Sequence, residues 1–71
     1  MDWDAVVGQN LRRLRLAKEM TQEELAGDAE LAMRHVGRIE RGQSSPTAAV
    51  LGRLAEALGV HPSEFFGTPT K

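Results

Sequence analysis

The charged side chains of this 71-residue sequence are grouped by sign along the chain, and such grouping could support the binding of a charged partner. A basic stretch precedes an acidic one, and basic residues then return. A phosphate backbone responds to the local field and not to the net charge, which is only −1. The pattern suits nucleic-acid binding, and it equally suits solvated helix faces with supporting ion pairs. The three groups are Arg12, Arg13, Arg15 and Lys18; Glu19, Glu23, Glu24, Asp28 and Glu30; and Arg34, Arg38 and Arg41, with Glu40 among the last.

The residue types do not indicate metal binding, catalysis or membrane insertion. The sequence has no cysteine, and its two histidines have no ligand-like spacing, so neither a metal nor another cofactor is expected. It contains no nucleophile–base set, carboxylate pair or phosphate loop, so we do not expect an enzyme. No apolar stretch approaches about 18 residues, and no signal-peptide pattern opens the chain. We expect a soluble cytoplasmic protein without membrane contact or small-molecule ligand.

The elements that must position the charged side chains are predicted to be helices. A chain this short forms one domain with a small core, which favours a compact helical bundle over a large sheet. Apolar residues recur at helical spacing, as Val7, Leu11 and Leu14 do in the first segment. We predict an all-α domain over residues 1–66 and a flexible tail over 67–71. Its five short helices are predicted at about 4–18, 21–29, 32–40, 47–58 and 62–66.

Start and stop signals delimit these helices. The strongest is a capping box, in which the Thr21 hydroxyl accepts from the Glu24 amide and the Glu24 carboxylate reaches back to Thr21. Glycine after a helix can adopt the left-handed conformation that ends it. The other candidates are Asp2 or Asp4 at the start of the first helix, Ser45 or Thr47 at the start of the fourth, Gly42 after the third and Gly59 after the fourth.

Residues 22–41 form two short helices that meet through small and branched apolar side chains, among them Ala26, Val36 and Ile39. This arrangement resembles the helix-turn-helix of the lambda-repressor/Cro-type regulators, also called XRE-type. The resemblance covers roughly residues 5–66 and implies a lambda-repressor-like DNA-binding fold. The segments that carry it are Val7-Gly8 with Leu11, Leu14-Arg15, Met20 to Ala26, Arg38 to Gly42, Pro46-Thr47 and Leu54 to Val60.

The resemblance implies that the helix beginning near Ala32 is the recognition helix, which lies in the major groove of double-stranded DNA. Its groove-facing positions correspond to Met33, Arg34, Gly37 and Arg38. The two arginines are four residues apart and share a helix face, and each can donate two hydrogen bonds to guanine. Met33 can meet a thymine methyl group, and Gly37 allows close approach of the backbone. Contact of the arginines with phosphate alone remains the alternative.

The resemblance also places phosphate contacts around this helix. Gln22 matches the position that meets a phosphate at the start of the second helix, where free N–H groups and the helix dipole favour an anion. The alternative for Gln22 is that it simply fills the first helical position. Arg15 and Glu40 match a pair that forms a structural salt bridge between the first and third helices. The other positions are Ala32 and His35 on the recognition helix, of which His35 has packing as an alternative role, and Arg41, Gly42, Gln43 and Ser44 in the following loop.

Two features depart from the family pattern. Glu30 stands where many relatives have glycine, so either a positive φ there costs about 1 kcal/mol or the turn differs slightly in shape. Ala32 replaces the usual serine or threonine cap, a loss of about 0.5–2 kcal/mol. Gly37 weakens the same helix further. We therefore expect the third helix to fray more than the second, which amide exchange would show.

A single short helix reads only a few base pairs, so we expect a homodimer on a palindromic operator. The candidate dimer contacts are Val60, His61, Phe65 and Phe66, with Phe65 pointing inward and Phe66 outward. A stand-alone domain of this kind resembles a restriction–modification controller or a prophage-type repressor. Glu23 matches a position that touches RNA polymerase in some relatives, although a solvated helix face is the better explanation of the acidic second helix. The alternative function is an antitoxin or other protein-interaction module of the same fold.

Overall fold

The computed structural model describes residues 1–67, which form four α-helices and one short 3₁₀ helix. The helices are α1 (Trp3–Ala17), α2 (Gln22–Ala29), α3 (Met33–Glu40), α4 (Ala48–Leu58) and the 3₁₀ helix η1 (Pro62–Phe66). The predicted all-helical architecture is confirmed, but the fifth helix is a single 3₁₀ element, so there are four α-helices in the described part of the chain. Of the predicted tail over 67–71, residues 68–71 lie outside the described residues.

Side chains cap three of the four α-helices. Asp2, and not Asp4, accepts a hydrogen bond from the Ala5 amide at 3.1 Å at the start of α1. The predicted capping box of α2 is present, with both bonds between Thr21 and Glu24 formed. Thr47 caps α4 by accepting from Val50 at 3.2 Å. The N-cap residue of α3, Ala32, makes no side-chain cap, so this helix begins without that stabilisation.

The core lies where all five elements meet. Apolar side chains form its cluster, and Phe65 brings the one helical turn of η1 into it; Asn10 and Arg15 are the buried polar residues of the described chain. Gly8 lets α1 and α3 touch, since a Cβ atom there would lie 2.3 Å from the Ile39 carbonyl oxygen. No helix within residues 1–67 is both long and apolar enough to span a bilayer. The residues with no exposed surface are Leu11, Leu25, Val36, Ile39, Leu54 and Phe65.

Two glutamates adopt the left-handed conformation at helix ends. Glu30 ends α2 with φ 60°, so of the two possibilities for this turn the structure has the positive φ, and Gly42 and Gly59 take positive φ values without strain. Glu19, after α1, has φ 57°. Its left-handed conformation was not predicted, because a glutamate within a polar loop gives no signal of it. Each glutamate costs about 1 kcal/mol relative to an unstrained conformation.

Asn10 joins the first and last elements of the fold. Its side chain is buried, and its Nδ2 donates to the carbonyl oxygens of Phe65 at 2.8 Å and Gly67 at 2.7 Å. Its Oδ1 accepts from Arg13 Nη2 at 3.2 Å. The amide therefore supplies the donors for two carbonyl groups at the end of η1, where a helix has no partners of its own for them. Asn10 thus holds η1, and Phe65 with it, against α1.

Substitution of Asn10 by alanine should release η1. The change removes the hydrogen-bond partners of Phe65 and Gly67, and we expect a loss of about 1–3 kcal/mol in the free energy of unfolding. Urea denaturation followed by circular dichroism measures it. Gln9→Ala, an exposed neighbour on the same helix, should change stability by less than about 0.5 kcal/mol. Equal stabilities of the two variants would contradict the role given to Asn10.

Candidate nucleic-acid interface

One side of α3 carries long side chains that the rest of the protomer leaves uncovered. Met33, Arg34 and Arg38 are exposed, with 53% of Met33 accessible. Val36 and Ile39 point the other way and are fully buried in the core. The alternation follows from helical periodicity, which places apolar residues three apart on one side. These exposed residues form an outward ridge, which we call the α3 ridge: Met33, Arg34 and Arg38.

The sequence predicts Gly37 at a groove-facing position of α3, and its place in the structure differs from that prediction. The residue is buried, and a Cβ atom on it would lie 3.1 Å from Arg41 Nη1 and 3.6 Å from Gln22 Oε1. Its missing side chain therefore makes room for Gln22 of α2 and for Arg41 after α3, which come together above it. The structure brings two predicted phosphate-binding residues side by side, and it places Gly37 beneath them and not on the α3 ridge.

A buried ion pair fixes α3 against α1. Arg15 Nε and Nη2 donate to Glu40 at 2.6 and 3.1 Å, and 10% and 4% of the two side chains are accessible. Arg15 Nη1 also donates to the Met20 carbonyl oxygen at 2.8 Å, so the turn before α2 is held as well. Two parallel N–H···O bonds restrict the relative orientation of arginine and carboxylate more than a single contact does.

Gln22 connects α2 to this ion pair. Its Nε2 donates to Glu40 Oε1 at 3.0 Å, so the carboxylate receives bonds from both α1 and α2. This third bond could not be predicted from local sequence, because Gln22 is 18 positions from Glu40. One N–H of Nε2 is thereby used, and an amide has two. We call this unit the Arg15–Glu40–Gln22 network.

The hydrogen bond to Glu40 raises the pKa of Arg15 above its ordinary value, and the negative charge of Glu40 acts in the same direction. Burial opposes both effects by disfavouring the charged form. A raised pKa of a cationic group contributes stability that is present below the pKa of the unfolded chain. The stabilisation that this raised pKa represents is therefore present at neutral pH and is lost as the pH rises through the pKa of Arg15 in the folded chain.

The loop after α3 continues the surface of the α3 ridge. Gly42 has φ 73°, and a Cβ atom there would lie 3.2 Å from Ala5 Cα. Arg41 Nε donates to Gln43 Oε1 at 3.2 Å, and the Gln43 amide donates to the Arg38 carbonyl oxygen. The loop is thus tied to both α3 and α1. A shallow depression of about 330 Å³ separates loop from helix, and it is lined by Ala32, Arg34, His35, Arg38 and Ser44.

The four predicted dimer contacts do not share one exposed face. Phe65 is fully buried in the protomer, so it offers no surface to a partner, and its inclusion among the contacts is wrong. Val60 is partly buried against the core. His61 is exposed, and its Nδ1 accepts from the Ser63 amide at 3.1 Å. Phe66 is 45% exposed and lies beside Trp3, with 6.3 Å between ring centroids.

The two short helices α2 and α3, their fixed angle and the outward ridge together define a helix-turn-helix DNA-binding domain. The family model described as helix-turn-helix (HTH_3) matches residues 11–65. The chain belongs to this XRE-type family of helix-turn-helix transcriptional regulators.

Similar proteins are known from several bacteria. An uncharacterised HTH-type transcriptional regulator of Sinorhizobium fredii, y4dJ, is 41% identical over 99% of this chain and 90% of its own. The control protein C.BamHI of Bacillus amyloliquefaciens is 34% identical over 89% and 79% of the two chains. The crystal structure of the restriction–modification controller C.AhdI from Aeromonas hydrophila is 41% identical, covers 89% of this chain and 96% of its own, and superposes with a TM-score of 0.87.

Removal of the Glu40 carboxylate should strongly destabilise the folded protein. Glu40→Ala leaves Arg15 buried without its partner and removes the bond to Gln22, and we expect a loss of about 3–5 kcal/mol in the free energy of unfolding. Urea denaturation measures it, with the exposed Glu56→Ala as control. Replacing both charges together, Arg15→Met with Glu40→Leu, should recover most of the loss. A Glu40→Ala variant as stable as the control would show that the network is energetically neutral.

The substitution Gly37→Ala should change protein stability and DNA affinity in opposite directions. Alanine favours the helix by about 1 kcal/mol, whereas its Cβ would lie 3.1 Å from Arg41 Nη1 and shift the guanidinium slightly relative to Gln22. We expect a more stable protein that binds duplex DNA more weakly. Gly27→Ala is the matched control, because nothing lies within 4 Å of the new Cβ, and it should raise stability with unchanged affinity. Fluorescence anisotropy with labelled duplex measures the affinity, and urea denaturation measures the stability. Equal affinities of the two variants would contradict a role in DNA binding for the arrangement of Arg41 and Gln22 above Gly37.

Proposed function

We propose that this protein is a sequence-specific regulator that inserts α3 into the major groove of a palindromic operator and binds it as a homodimer. The observation that carries the proposal is the α3 ridge: Met33, Arg34 and Arg38 stand free of the protomer while the opposite side of α3 fills the core. A helix presented in this way fits the width of the major groove. Side chains on its outer surface then reach base edges.

Arg34 and Arg38 are the proposed base-reading residues. They lie one helical turn apart on the α3 ridge, so they can address neighbouring base pairs. Each bidentate contact to the O6 and N7 atoms of guanine contributes about 1–3 kcal/mol of discrimination against other bases. Met33, at the first position of α3, offers an apolar surface to a thymine methyl group. Gly37 is not part of this proposal, because the Gln22 and Arg41 side chains cover it.

Phosphate contacts are proposed on both sides of the α3 ridge. On one side, Gln22 begins α2, where free backbone N–H groups favour an anion, and its second Nε2 proton remains to be donated. The Arg41 guanidinium lies beside it. On the other side, Ala32, His35 and Ser44 line the depression next to α3, and Gly42 and Gln43 belong to the same loop as Ser44. Such contacts fix the register of α3 on the duplex without reading its sequence.

We further propose that the protein acts as a small autoregulator of the restriction–modification controller kind. The support is its similarity to C.AhdI and C.BamHI over most of both chains. His61 and Phe66 keep exposed surface for a dimer contact. Glu23 is exposed on α2 and remains the candidate contact with RNA polymerase. The bacterial cytoplasm, at the nucleoid, is the proposed location.

Selection from a pool of random duplexes tests the assignment of roles. Arg34→Gln and Arg38→Gln should each relax base preference at one operator position, because a bidentate donor is lost. Gln22→Ala should weaken binding to all duplexes alike, because its partner is a phosphate. Arg53 is an exposed arginine on α4, so Arg53→Gln controls for the loss of charge. It should change neither the base preference nor the overall affinity for duplex DNA. Unchanged base preference in both α3 variants would reject the assignment.

A further inference from the structure

Two candidate capping residues that the helices do not use are bonded to each other. Asp2 caps α1, and Thr47 caps α4. Asp4 and Ser45, the alternative candidates, cap neither helix. Instead, Ser45 Oγ donates to Asp4 Oδ2 at 2.6 Å, across 41 positions of the sequence. The bond joins the first turn of α1 to the segment between α3 and α4, which we call the α3–α4 loop: residues 41–47.

A second contact brings the α3–α4 loop onto the same turn of α1. A Cβ atom on Gly42 would lie 3.2 Å from Ala5 Cα and 3.5 Å from Ala5 N. The loop backbone therefore lies directly on the backbone of α1, next to Asp4. Gly42 also has φ 73°, and glycine accommodates both the close approach and the left-handed conformation. The loop is thus held on α1 at two points, Gly42 and Ser45.

Asp4 belongs to the side of α1 that packs on α3. It precedes Gly8 by four residues, so the two lie on one side of the helix. Gly8 is the residue at which α1 approaches the Ile39 carbonyl oxygen most closely. Arg15, seven residues further on, bonds to Glu40 at the end of α3. One side of α1 therefore holds first the end of α3 and then, at Asp4, the loop that follows it.

The α3–α4 loop also borders the α3 ridge. The Gln43 amide donates to the Arg38 carbonyl oxygen at 2.9 Å. Ser44 lines the depression beside α3 together with Arg34 and Arg38. The two neighbouring serines therefore have different surroundings, since Ser44 lies beside α3 and Ser45 bonds to α1. Fixing Ser45 on α1 consequently restricts where Gln43 and Ser44 lie relative to the ridge.

We propose that Asp4 is a positioning residue for DNA binding, which acts through Ser45 and holds the α3–α4 loop in the conformation that contacts phosphate. The proposal rests on the proposed function, in which Gln43 and Ser44 of this loop are phosphate contacts. A loop that is already ordered in the free protein loses less conformational entropy on binding, so its contacts contribute more to affinity. Asp4 itself touches no nucleotide.

The negative charge of Asp4 gives the proposal a distinctive sign. A carboxylate beside a phosphate-binding loop repels the DNA backbone, so its removal strengthens binding if charge is its only influence. A positioning role predicts weaker binding, because the released loop must then be ordered when DNA binds. Asp4→Asn separates the two effects. It removes the charge and keeps a side-chain oxygen that can accept from Ser45.

Fluorescence anisotropy with a labelled duplex measures the affinity of each variant. We expect Asp4→Ala and Ser45→Ala each to weaken binding about two- to tenfold, as the loss of one hydrogen bond does, and Asp4→Asn to stay within about twofold of the unmodified chain. The double variant should bind no more weakly than either single variant, because both changes remove the same bond. Asp28→Ala, an exposed aspartate on α2, is the matched control and should not weaken binding.

Three results would overturn the proposal. Tighter binding by both Asp4→Ala and Asp4→Asn would show that charge alone acts. Equal weakening by both would assign the effect to the favourable charge at the start of α1. Unchanged affinity of Ser45→Ala would show that the bond is not used. Ser45 lies outside the helices, so its variant decides the matter even if Asp4→Ala destabilises α1.

Amide exchange in the free protein tests the anchoring of the loop without DNA. We expect Asp4→Ala and Ser45→Ala to speed exchange of the Gln43 amide at least about threefold and Asp4→Asn to leave it unchanged. The Leu54 amide, in the core, controls for global unfolding. Equal Gln43 exchange in all variants would overturn the proposal. A chain that binds no duplex would refute only the proposed function, because exchange still decides whether Asp4 orders the loop.

Discussion

The Glu40 carboxylate is the group on which the geometry of the DNA-binding unit depends. It receives two hydrogen bonds from Arg15 on α1 and one from Gln22 on α2, so one side chain of α3 fixes the positions of both neighbouring helices. Transfer of an arginine and a carboxylate out of water is expensive, and only good geometry with further hydrogen bonds offsets it. Both conditions are met, since no buried side-chain nitrogen or oxygen in the described part of the chain lacks a partner. The close approach of Gly8 to the α3 backbone then leaves little freedom in the separation of α1 and α3.

This constraint matters because α3 is a weak helix by itself. It has eight residues, no side-chain cap at Ala32 and a glycine at its centre. Isolated helices of this length are not stable in water, and such a helix exists in a protein through packing of its apolar side. Val36 and Ile39 supply that packing, and Glu40 fixes the end of the helix. Arg34 and Arg38 can therefore be presented in a fixed orientation although neither contributes to the core.

Local features of this fold were predictable from sequence, whereas contacts between distant positions were not. The capping box at Thr21 and the helical stripes each depend on residues a few positions apart. The left-handed conformation of Glu30 was one of two possibilities that the family resemblance left open. The bond from Gln22 to Glu40 and the bonds from Asn10 to η1 join residues 18 and more than 50 positions apart, and no local pattern signals them. The covering of Gly37 also arises from two different elements. The Arg15–Glu40 pair was anticipated only through the family resemblance. Its bond to Met20 and its sharing with Gln22 required coordinates.

The charge pattern of the sequence also has its explanation in three dimensions. A chain with net charge −1 can still present a basic surface, because its acidic residues are not distributed evenly around the fold. Asp28, Glu30 and Glu56 border one depression between the end of α2 and α4, in which Arg53 is the basic residue. Arg34 and Arg38 project from the α3 ridge, and Arg41 adjoins it beside Gln22. Glu40, the acidic residue of α3 itself, is paired with Arg15 within the fold. The pairing of Glu40 with Arg15 therefore has two consequences. It fixes the angle between α1 and α3, and it keeps the Glu40 carboxylate from pairing with the arginines of the α3 ridge.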